Sequence, residues 1–113
     1  MIKVIYKKIT PEQVKEFLGN PYSDMIKFVV DLQQGVLAFG GELHSDAEAL
    51  LLEKGSRQAD LWGANYWPGK AETEKIEYTS MINIRPSAGN RSMEVKDSNI
   101  RQKIREIAQR LLP

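Results

Sequence analysis

The sequence predicts an α+β fold: a mostly antiparallel sheet of five to six strands with three helices, in the order β-α-β-β-α-β-β-β-α. Three observations predict it. Residues 76–85 alternate apolar and polar side chains as a half-buried strand does, residues 100–111 repeat isoleucine and leucine at helical spacing, and tight turns outnumber the long crossovers that parallel strands require. With hairpins dominant, the helices are expected on one face of the sheet. The 113 residues form one domain, 1–113, without repeat or linker, long enough to bury roughly two-thirds of the unfolded surface.

Each element follows from local chemistry. Residues 2–9 read as a strand, with Ile2, Val4 and Tyr6 set against Lys3, Lys7 and Lys8. Thr10-Pro11-Glu12-Gln13 supplies an N-cap, a proline at the first helical position and a capping-box glutamine; Val14, Phe17 and Leu18 form the buried side, and Gly19-Asn20-Pro21 ends the helix. Residues 26–32 and 36–43 form a hairpin through Gln33-Gln34-Gly35, where Gly35 supplies positive φ. Ser45 opens a second helix as N-cap, with Glu48 completing a capping box and Asp46 meeting the positive end of the dipole, and Gly55 closes it. Residues 60–66 form a short strand in which Gly63 marks a bulge or a close backbone approach. Residues 67–74 are a loop; strands at 76–85 and 91–96 then pair, with Ile82 or Ile84 opposite Met93, before a C-terminal helix from about Asn99.

Composition excludes several classes. There is no cysteine, which removes disulfides, thiolate zinc sites and a cysteine nucleophile and fits a reducing cytosol. No apolar run approaches the ~20 residues of a membrane helix, and the amino-terminal segment has no apolar signal-like core, so the expected location is cytoplasmic with no membrane partner. The net charge is +1, so nucleic acid is a disfavoured partner, Arg101, Lys103 and Arg105 being its only obvious contacts. Charge is nevertheless divided. Glu42, Asp46, Glu48, Glu53 and Asp60 form an acidic stretch, and Arg91, Lys96, Arg101, Lys103, Arg105 and Arg110 a basic one, expected to complement each other within the monomer ahead of across a dimer or, for the basic end, against an anion.

Three stretches carry candidate chemistry. In GGELHSDAE, Glu42 and His44, the sole histidine, fall on one side of an extended segment and are the candidate catalytic acid/base pair. A metal is not expected, because no second histidine exists. In INIRPSAGNRSMEV, Asn83, Arg85, Asn90 and Arg91 are candidate ligands for an anion, since guanidinium grips carboxylate or phosphate in a forked geometry. The strand register keeps Arg85 and Arg91 on opposite sides. In DLWGANYWPG, Trp62, Tyr66 and Trp67 are candidates for core or for a self-association interface.

The set GGELHSDAE, DLWGAN and NIRPSAGNRS resembles a small prokaryotic family catalogued as a domain of unknown function, over most of the chain from the first hairpin onward. That resemblance implies no activity, cofactor or catalytic residue. The expected function is a self-associating binding module with a small anionic ligand and no cofactor. The alternative is a small hydrolase or nuclease-like enzyme using His44 with Glu42 and an arginine.

Overall fold

Strand β2 (Ile26–Asp31) is the spine of the computed structural model, which describes residues 1–19 and 21–113. Phe28, Val29 and Val30 are all fully buried, as are Leu37, Ala38 and Phe39 of β3 (Val36–Gly40). An uninterrupted apolar run buries both faces of a strand, so both faces need cover. The sheet is completed by β1 (Ile2–Ile5), β4 (Leu61–Tyr66) and β5 (Ile76–Glu77) in the order β1-β3-β2-β4-β5, every pair antiparallel.

Helices lie on both sides, which corrects the one-sided expectation. Phe28, Val30, Leu37, Phe39 and Tyr66 pack with Val14 of α1 (Pro11–Lys15) and with Ile104, Ile107 and Leu111 of α3 (Ser98–Leu111). Val29, Ala38 and Leu61 pack instead with Ala47 and Leu51 of α2 (His44–Glu53). Each of the larger side chains contributes about 1.5–3 kcal/mol by leaving water. The sheet also stands between Asp46, Glu48 and Glu53 of α2 and Arg101, Lys103, Arg105 and Arg110 of α3, so these helical charges do not neutralise each other within the chain.

Local signals hold where nothing distant competes. Thr10 and Gln13 form the capping box, Gln13 N donating to Thr10 Oγ1 at 3.1 Å and Thr10 N to Gln13 Oε1 at 2.8 Å. Gly35 takes φ 69°, and the buried Asp31 carboxylate accepts from the amides of Gln33 and Gln34 and from Ser56 Oγ at 2.6 Å, tying the hairpin to the end of α2. Asp97 caps α3 from the position before Ser98. Asn20, placed by the sequence among the residues ending the first helix, lies outside the described residues. No helix among those described is long and apolar enough to cross a membrane.

The long strand expected at 76–85 stops after two residues. Ser80 accepts the Ile82 amide on its hydroxyl, and residues 81–83 and 86–88 become 3-10 turns. Residues 91–96 form no strand; of the expected pairing there remain single bridges between Thr79 and Glu94 and between Arg85 and Asn90. The second lies on the register that puts Ile82 opposite Met93, the first does not, and the intervening turn absorbs the mismatch. Ile84 and Met93, expected inside, are 43% and 45% exposed.

Candidate functional site

Backbone groups along a strand alternate in direction, so Leu61, Gly63 and Asn65 of β4 present theirs to the edge where a fifth strand belongs. At Asn65 that strand is β5, through Glu77. At Gly63 it is a side chain: Gly63 N donates to Asn83 Oδ1 at 2.8 Å and Asn83 Nδ2 donates to Gly63 O at 2.9 Å, so the carboxamide reproduces a peptide of the missing strand. At Leu61 the carbonyl accepts from Arg85 Nη2. Asn83 also donates to Met93 O, and the buried Asn90 amide donates to the carbonyls of Asn83, Ser92 and Glu94 while accepting from Lys96 N. The candidate anion ligands Asn83, Asn90 and Arg85 are thus engaged with the chain itself.

Arg85 is further constrained. Its Nη2 lies 4.0 Å from Glu48 Oε2, its Nε donates to Ile82 O, and the guanidinium carbon stands 4.6 Å from the centroid of Trp62. Burial pushes its pKa down, and Glu48 opposes that shift. Nη1 has no hydrogen-bond partner among the described residues. Arg91, the fourth candidate anion ligand, is solvent-exposed, and Arg85 has an acidic neighbour.

His44 is the first residue of α2, not part of an extended segment. Gly40 and Gly41, at φ 105° and 94°, swing the chain so that Glu42 faces solvent while the imidazole turns under the sheet, 8% exposed. Nε2 lies 2.8 Å from Ala64 O, and because a carbonyl only accepts, the neutral ring carries its proton on Nε2. Burial lowers the His44 pKa; the Ala64 hydrogen bond works the other way. The helix therefore begins with Leu43 as an N-cap that makes no side-chain bond, the Ser45–Glu48 box does not form, and Glu48 turns to Arg85. Along β4, Arg85 meets Leu61, Asn83 meets Gly63 and His44 meets Ala64. Glu42 joins none of them; its carbonyl accepts from Tyr22 Oη. Among the described residues no three carboxylate or imidazole groups cluster to hold a metal ion.

Trp62 and Tyr66 are core residues, 4% and 3% exposed, because β4 is covered on both faces. Trp67 is half-buried, donates to Glu77 and carries Lys70 Nζ 4.2 Å from its ring centroid.

A different concavity is formed by residues that, Tyr66 apart, the motifs do not contain. Between β5 and the second half of α3 lies a cleft of about 430 Å³, floored by Tyr66, Ile76, Ala108 and Leu112. Lys8, Lys75 and Arg105 stand at its rim with Tyr78, and Glu72 is the one acidic side chain among the described residues that line it. Lys75 Nζ is 3.4 Å from Glu72, Arg105 Nε donates to Tyr78 Oη at 3.3 Å, and Tyr66 Oη donates to Pro113 O at 2.8 Å. Burial, then the Glu72 charge, raises the Tyr66 pKa, which keeps the phenol a neutral donor.

A family model named DUF5674, described as a protein of unknown function, matches residues 3–111. The chain belongs to DUF5674. No curated protein and no solved structure matches it. The family match runs from within β1 to the end of α3 and so takes in β2 to β5, the Asn83–Gly63 closure and the cleft residues up to Gln109, with Leu112 and Pro113 beyond it. In this DUF5674 chain the cleft as a unit was not legible in the sequence: Arg105 and Tyr66 stood out for other reasons, and Lys8 and Lys75, brought in from two loops, each read alone as a solvated charge. The available signal was the basic bias of the carboxyl-terminal helix.

Proposed function

We propose that this DUF5674 chain is a binding module for a small organic anion, an apolar body bearing a carboxylate or phosphate, held in the cleft beside α3. The carrying observation is the arrangement of three cations against one acid around an apolar floor in a cavity of about 430 Å³, within the size range of small-molecule sites. The floor takes the apolar body, and Arg105 and Lys75 take the charge. The surrounding field helps: Lys103 and Arg110 of α3 are exposed, and the acidic stretch is on the far side of the sheet. A cytoplasmic location, expected from the sequence as the default for a chain without an apolar membrane or signal-like run, belongs with this reading.

The test is a titration of phenyl phosphate and of benzoate followed by amide NMR shifts, with neutral phenol as control. Saturable shifts at Ile76, Tyr78, Arg105 and Ala108, weakened about tenfold by Arg105→Gln together with Lys75→Gln, are expected. Equal shifts from phenol, or shifts confined to the Asn83–Asn90 loop, would sink the assignment.

A further inference from the structure

Two exposed helical stripes on opposite faces of this molecule match in spacing and oppose in charge. On α2 the stripe is Asp46, Ala49 and Glu53; on α3 it is Lys103, Glu106 and Arg110. All six residues are exposed. Each set follows the i, i+3, i+7 spacing that aligns side chains along one side of a helix, which puts its outer pair about 10.5 Å apart. Superposing the stripes sets Asp46 and Glu53 against Lys103 and Arg110, in either direction. The one like charge, Glu106, then meets Ala49 when the helices run parallel and lies level with Leu50 when they run antiparallel, both uncharged.

Within one chain the stripes never meet. α2 packs on Val29, Ala38 and Leu61, and α3 on Phe28, Leu37 and Phe39, so the sheet stands between them. We infer that the acidic stripe of α2 docks the basic stripe of a second copy's α3, giving a salt-sensitive, head-to-tail association of this chain. The two patches are different surfaces, so the contact is heterologous and adds copies successively instead of closing as a two-fold dimer. Surface ion pairs of this kind set orientation and association rate and are weakened when the screening length falls below the distance between charges. The contact does not depend on the anion-binding reading, because Lys103 and Arg110 do not line the cleft.

Sedimentation equilibrium of the full chain tests it. In about 20 mM salt the weight-average mass is expected to climb with protein concentration, and in about 0.5 M salt to fall to the monomer value. Asp46→Lys with Glu53→Lys in one variant, and Lys103→Glu with Arg110→Glu in another, are each expected to be monomeric in low salt. An equimolar mixture of the two is expected to associate again, since each variant's reversed stripe then meets an opposite charge on the other. The mixture also guards against misfolding, because recovered association requires both variants to be folded, and far-ultraviolet circular dichroism checks each alone. A wild-type chain that stays monomeric in low salt overturns the inference, as does association that survives either pair of reversals, or folded variants whose mixture stays monomeric.

Discussion

Asn83 closes onto Gly63 through two hydrogen bonds, 2.8 and 2.9 Å, so that one side-chain amide takes the place of a strand residue at the edge of the sheet. Replacing it by leucine removes both bonds, together with the donation to Met93 O, and leaves a buried N–H and C=O of Gly63 without partners. Asn83→Leu is therefore expected to cost roughly 3 kcal/mol in urea unfolding, more than the single bonds would suggest, because an unmade buried hydrogen bond carries its desolvation penalty. A loss below about 0.5 kcal/mol would show that water or backbone movement replaces the carboxamide.

Gly63 owes its identity to the neighbours above it. A Cβ there would lie 2.6 Å from Ser80 Cβ and 3.2 Å from His44 Cδ2. Gly63→Ala is expected to destabilise by about 1–3 kcal/mol through overpacking. Adding Ser80→Gly should return part of that loss, although it removes the Ser80 hydroxyl that accepts the Ile82 amide. Strictly additive losses in the double-mutant cycle would place the strain elsewhere.

His44 makes stability depend on pH in a defined direction. Its folded-state pKa lies below the usual 6.5, with burial the first cause, so in the window between the folded pKa and about 6.5 the unfolded chain binds the extra proton. Stability then rises with pH through that window: it is complete above about 6.5 and declines as pH falls toward the folded value. Melting temperatures of the wild type should drop between about pH 7 and pH 5, before most carboxylates titrate, and His44→Gln should flatten that slope. An unchanged slope in the variant would exonerate the chain's single histidine.

Arg85 tests whether its geometry or only its charge matters. It donates to Leu61 O and Ile82 O and lies against Trp62 beside Glu48. A lysine retains the charge but not the planar fork, so Arg85→Lys should destabilise the fold by about 1–2 kcal/mol while leaving phenyl phosphate binding unchanged. If the substitution instead abolished anion binding, the anion site would belong to this loop and not to the cleft.

The Thr10 capping box, the Gly35 turn and the amphipathic repeat of α3 were legible in the sequence because each is settled within about two helical turns of chain. The beginning of α2 was not. Ser45 and Glu48 have the right types and spacing for a box, but burial of His44 against Ala64, 20 residues away, starts the helix sooner and frees Glu48 for Arg85. Likewise the alternation of residues 76–85 is genuine strand patterning. It is overruled at Ser80, where Asn83 turns back to Gly63 and leaves Met81, Ile84 and Met93 outside.

By itself the sequence determined the fold class and the central hairpin, and in the adjacent apolar residues Phe28-Val29-Val30 and Leu37-Ala38-Phe39 it already contained the two-sided burial of the sheet. These depend on period, turn chemistry and capping, which are local. Tertiary structure alone decided what the polar residues do. A side chain's partner is fixed by proximity in space: Asn83 and Arg85 close the edge of one strand and His44 bonds its Ala64 carbonyl, while Lys8, Lys75 and Arg105 are assembled around one cleft.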